Sequence, residues 1–157
     1  METSTDLRTS TGATAHILLH DDFIEINSKD EFPTITDVFA VKAEFNGVES
    51  KLTIMTFMKN DRDMREIRNF TFHGSEVVVK EWECRLLWHV DKAYVKALLT
   101  DDEQKTTKPP KRKVLIIINP FSGGGAARAA LTQAMTMLEH ANLEITIAQT
   151  ERQGHAA

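Results

Sequence analysis

The chain has 157 residues, 41% of them hydrophobic and 27% charged, which suits one soluble domain or a small domain plus part of a second. Its formal net charge of −4 argues against a nucleic-acid partner, because neutralising phosphates takes a basic face. Cys84 is the only cysteine, which excludes an internal disulfide, argues against a cysteine metal site and fits a reducing, cytoplasmic setting.

Residues 1–13 are polar, rich in Ser and Thr, and lack the apolar core of a signal peptide; they are expected to be a disordered tail. Residues 14–100 read as strands followed by one helix. HILLH and FIEIN flank Asp21-Asp22, and Val38 to Phe45 and Lys51 to Phe57 flank Asn46-Gly47, a strong hairpin signal. Asn60-Asp61 marks another turn before Ile67 to Phe72. Ser75 then suits an N-cap, with Glu76 well placed against the helix dipole. Val79, Trp82, Leu86, Val90, Ala93 and Ala97 recur at helical spacing and predict a helix from Glu76 to about Leu99. Trp82 and Trp88, six positions apart, lie about 240° apart on that helix and cannot share one core. An antiparallel sheet with one C-terminal helix is a pleckstrin-homology-like plan.

Residues 101–113 lack apolar side chains and contain Pro109-Pro110, so they read as a linker. Its cations, Lys108, Lys111, Arg112 and Lys113, suit a solvated linker or an aid to anionic-membrane contact. The longest apolar run, Val114 to Ile118, is far below the roughly 20 residues that span a bilayer, so any membrane contact is peripheral. That run is apolar on both faces, as in a covered parallel strand. Asn119 to Ser122 end it, and Gly123 to Gly125 make a turn. A helix with Ala127, Ala130, Leu131, Ala134 and Leu138 on one face follows, which Asn142 can close. Leu143, Ile145 and Ile147 alternate as a second strand. Residues 114–157 therefore predict a βαβ unit, and the whole chain an α+β fold.

A strand-to-helix turn of three glycines lets a phosphate approach backbone N–H groups at a helix N-terminus; the same glycines serve equally for close packing alone. The pattern is neither a Walker A loop nor a Rossmann fingerprint. VLIIINPFSGGGAARA, followed about 30 residues later by Thr150-Glu151-Arg152-Gln153-Gly154-His155-Ala156, resembles the opening of the diacylglycerol kinase catalytic domain, shared with sphingosine, long-chain-base and ceramide kinases. The Asn-Pro-Phe and Thr-Glu-Arg forms, and the strand-rich segment with its Trp82-bearing helix upstream, are closest in layout to the sphingoid-base kinases.

The resemblance implies a phosphofructokinase/NAD kinase-like nucleotide lobe. In it Asn119, Pro120, Phe121, Ser122, Gly123, Gly124 and Gly125 would form a first ATP loop. Thr150, Glu151, Arg152, Gln153 and Gly154 would form a second, with His155 in a capping or packing role. It further implies ATP and Mg²⁺, a sphingoid base as the lipid acceptor, and peripheral membrane association. Diacylglycerol or ceramide is the alternative substrate, and a non-catalytic lipid- or protein-binding module the alternative of another class. Two departures stand out. Ala126-Ala127 follow the glycines where many members have a cation, the first being Arg128, and the family's Gly-Gly-Asp-Gly element is missing. No catalytic residue and no metal ligand is therefore expected in this stretch, which reads as the N-terminal piece of a longer kinase, inactive alone. A two-stranded unit would also leave one sheet face bare.

Overall fold

The computed structural model describes residues 3–20, 24–27, 37–91, 100–121 and 126–151. It is an α+β chain in two compact units, Met1–Pro109 and Pro110–Ala157.

The first unit carries β1 (Thr3–Thr9), β2 (Thr14–Leu19), β3 (Ile24–Asn27), β4 (Val38–Phe45), β5 (Ser50–Lys59), β6 (Arg65–Gly74), α1 (Glu76–Val90) and α2 (Asp101–Thr106). Its six strands lie in the order β3-β2-β1-β6-β5-β4, every neighbouring pair antiparallel. The seam between β1 and β6 is short: only Arg8↔His73 and Thr9↔Phe72 are paired across it.

The expected disorder of residues 1–13 is corrected by β1. Thr3, Thr5 and Thr9 are β-branched and suit a strand despite their polarity. Pairing with β2 from Thr3↔Leu19 to Arg8↔Thr14 satisfies the backbone, and the one apolar side chain, Leu7, is 2% exposed. Gly12, at φ +84°, takes the left-handed position in the turn to β2.

The two other turns follow their sequence signals. At Asn46-Gly47 the Asn46 Oδ1 accepts from the N–H groups of Val48 (3.1 Å) and Glu49 (2.8 Å), and Gly47 has φ +82°. Asn60 does the same for Arg62 and Met64 between β5 and β6. The Asp21-Asp22 turn lies outside the described residues.

A single core gathers Leu7, Ile17, Leu19 and Ile24 from one half of the sheet and Val41, Leu52, Ile54 and Phe72 from the other. Val79, Trp82 and Leu86 of α1 complete it. Burying each such side chain is worth about 1.5–3 kcal/mol. Ser75 caps α1, its Oγ accepting from the Val78 N–H at 3.4 Å. The described helix ends at Val90 with Asp91 as C-cap, earlier than the expected Leu99; Ala93 and Ala97 lie outside the described residues. Trp82 is 2% exposed in the core, whereas the Trp88 indole N–H donates to the Thr107 carbonyl at 2.7 Å. The two rings do part company.

The expected linker at 101–113 is also corrected. Thr100 and Glu103 form a capping box, which starts α2 without any apolar side chain. Donation from the Thr100 backbone and hydroxyl holds the Glu103 carboxyl below its ordinary pKa. Among the described residues no helix is long and apolar enough to cross a membrane.

The second unit carries β7 (Arg112–Ile118), α3 (Ala126–Leu138) and β8 (Leu143–Gln149). The strands pair in parallel, with Val114↔Ile145, Ile116↔Ile147 and Ile118↔Gln149 in register. Asn142 does not close α3, which ends at Leu138. Instead its carbonyl accepts from the Arg112 N–H at 3.2 Å, beside the start of β7. No described side chain of α3 is buried. Leu115 (59%) and Ile117 (48%) stand exposed on β7, so the cover expected on both faces of that strand is not present here.

Candidate nucleotide-phosphate site

Parallel pairing puts the carboxyl ends of β7 and β8 side by side, the edge at which open α/β sheets take ligands. Asn119 leaves β7 there in a tight turn, its side-chain Oδ1 accepting from the Phe121 N–H at 3.0 Å. Asn119 is exposed, Pro120 half-buried and Phe121 78% exposed. Such a side-chain turn keeps Asn119 out of β-ladder geometry and ends the strand.

Thr150 leaves β8 beside it. Its backbone N–H donates to the Ile118 carbonyl at 2.9 Å, and its hydroxyl donates to the same oxygen at 3.4 Å. The two loop segments expected to share a nucleotide, starting at Asn119 and at Thr150, are thus tied together at their roots. Glu151, next along, is exposed. Ser122, Gly123, Gly124, Gly125, Arg152, Gln153, Gly154 and His155 lie outside the described residues.

After the glycines α3 begins directly at Ala126 and carries no acidic residue in its first turn. First-turn N–H groups and the positive end of a helix dipole favour an anion, and α3 sets no carboxylate of its own first turn against one. Arg128, in that turn, is exposed. Between β7 and α3 runs an apolar groove of about 490 Å³, lined by Ile116, Ile118, Ala127, Ala130, Leu131 and Ala134 among others. The helix face read from the sequence thus faces this groove.

Among the described residues no three His, Cys, Asp or Glu side chains stand close enough to hold a metal ion. At this edge the Thr150 N–H and hydroxyl and the Phe121 N–H are spent within the protein, while the Asn119 side-chain NH₂, a donor pair, suits an anion better than a bare cation. Cys84, on α1, is buried, and that burial raises its thiol pKa; it is a core side chain rather than a nucleophile. The Ile118 carbonyl, the acceptor that joins the loops, was not singled out by sequence reasoning. A backbone oxygen leaves no trace in residue type, although the Thr at the strand end is its signal in retrospect.

No curated protein matches the chain. The family model for the diacylglycerol kinase catalytic domain matches residues 113–157, so the segment that carries the two tied loops is supported as part of a lipid-kinase catalytic domain.

Proposed function

We propose that the second unit supplies the ATP-phosphate loops of a lipid kinase, and that the acceptor is the hydroxyl of a sphingoid base. The observation that carries this reading is the double hydrogen bond from Thr150 to Ile118, which unites two loops at the carboxyl edge of a parallel pair. Phosphoryl transfer depends on positioning and on neutralising charge rather than on covalent chemistry by the protein. Backbone N–H groups of Gly123 to Gly125 and of the first turn of α3 would receive the phosphate oxygens. The Asn119 side-chain NH₂ carries two further donors, its oxygen being committed to Phe121. Thr150 acts by position, since its hydroxyl proton goes to Ile118. Mg²⁺ bound with ATP supplies the remaining charge neutralisation.

The preference for a sphingoid base rests on the Asn-Pro-Phe and Thr-Glu-Arg forms and on the strand-rich unit upstream with buried Trp82. On this reading β7, α3 and β8 open a phosphofructokinase/NAD kinase-like lobe. The first unit is a pleckstrin-homology-like module that brings a cytoplasmic protein to the membrane surface where its lipid lies.

The test is ATP affinity of the full chain with Asn119→Ala and with Gly124→Val, which crowds the phosphates. Each is expected to weaken ATP by about tenfold or more, the scale of losing one charge-assisted hydrogen bond. Unchanged affinity in both removes the loop assignment. Labelled ATP offered with sphingoid base, diacylglycerol and ceramide to a full-length kinase that contains this chain decides the acceptor: label on either of the latter alone moves the substrate to the alternative.

A further inference from the structure

Away from the paired loops, two side chains of α1 converge on the segment that leads out of the first unit. Glu83 is 4% exposed, and its Oε1 accepts from the Ala43 N–H at 3.0 Å, on the outermost strand β4. Its Oε2 receives no well-aimed hydrogen bond but lies 2.8 Å from the Lys108 ammonium. A buried carboxylate needs a compensating cation, and Lys108, whose side chain is 53% exposed, reaches it from the surface. Five residues further along α1, Trp88 donates its indole N–H to the Thr107 carbonyl at 2.7 Å. Thr107 and Lys108 are therefore each gripped by a different side chain of one helix, and Pro109, next in line, is buried.

We propose that Glu83 and Trp88 strap Thr107 to Pro109 onto α1, so that the segment past α2 is an ordered part of the first unit rather than a free linker. The strap thus holds to the first unit a stretch that composition marks as linker. It is independent of the kinase reading, because every contact in it lies within residues 43–109. Glu83 also closes the exposed edge of β4 by occupying an amide that another strand would otherwise claim. One carboxylate thus joins edge strand, helix and connector.

Hydrogen exchange on the full chain tests this, comparing wild type with Lys108→Arg, Lys108→Met and the double variant Glu83→Gln/Lys108→Met. In wild type the Trp88 indole N–H, which donates to the Thr107 carbonyl, is expected to exchange at least about tenfold more slowly than the Lys111 amide, the behaviour of a locally closed segment. Lys108→Arg keeps that protection. Lys108→Met loses it while β5 and β6 stay protected. Should Lys108→Met fail to fold because it strands a buried charge, the double variant, which has no charge to strand, is read in the same way and also loses protection. A Trp88 indole N–H as fast as the Lys111 amide in wild type, or still slow in the folded variants that lack the Lys108 cation, would overturn the strap.

Discussion

The two units treat apolar residues in opposite ways. In the first, residues from all six strands and one helix close on a common core, with Ile17, Leu52, Ile54, Val79 and Leu86 all 0% exposed. In the second, α3 buries none of its described side chains and β7 leaves Leu115 and Ile117 to solvent. Yet the second unit, not the first, carries the pair of loops proposed to take a phosphate. Order at that edge comes from local hydrogen bonds at Asn119 and Thr150, which need no deep core to hold their geometry. The lesson is that site precision and core burial are separable in this chain.

The sharpest way to break the comparison is a matched pair of truncations. Leu86→Ala should cost about 2–5 kcal/mol of unfolding free energy, the range for deleting a buried leucine. Leu131→Ala, at a half-buried site on α3, should cost about 1 kcal/mol or less. Equal losses by urea denaturation would mean that the second unit has a core of its own. Gly74→Ala is a smaller probe of the first unit. A Cβ there would come within 2.6 Å of Leu7 Cδ2, and Leu7 is itself buried. The expected cost is about 1–3 kcal/mol, as for an overpacked core, with a lower midpoint in the same denaturation.

The smallest effect lies on the surface. Hydrogen bonds from Lys42 and then Lys51 bring the Glu44 pKa down to about 2 from its ordinary value of 4.5. Because the folded value is depressed, whatever stability this cluster gives is complete above about pH 4.5 and is lost as pH falls toward 2. Carboxyl carbon shifts should follow that titration, and Lys42→Gln with Lys51→Gln should return it toward the ordinary range. A Glu44 that titrates normally in the unchanged chain would contradict the contact.

Legibility in the sequence followed the kind of interaction. Asn46-Gly47 and Ser75 announce themselves because turn and cap chemistry is local to a few residues. The stripe of α1 was legible through Val79, Trp82 and Leu86, all buried. Polar Thr3 to Thr9 hid β1, because its pairing depends on β2 rather than on its own hydrophobicity. The segment after Thr100 was mistaken for a bare linker because Thr100 and Glu103 build a helix without apolar residues. Asn119 and Thr150 stand out through the order and spacing of the two segments, and the structure does join the strand ends that carry them. That Thr150 spends its hydroxyl on Ile118 was not legible, since the acceptor is main chain.

The short seam at Arg8↔His73 and Thr9↔Phe72 bears on how the first unit comes together in time. β4, β5 and β6 follow one another through tight hairpins, so their ladders close small loops and form early. The β1–β3 block must instead find a partner about 65 residues distant, and closing so long a loop costs entropy before any contact repays it. Folding of this unit should therefore end, not begin, at its N-terminus, with docking of that block as the slow step.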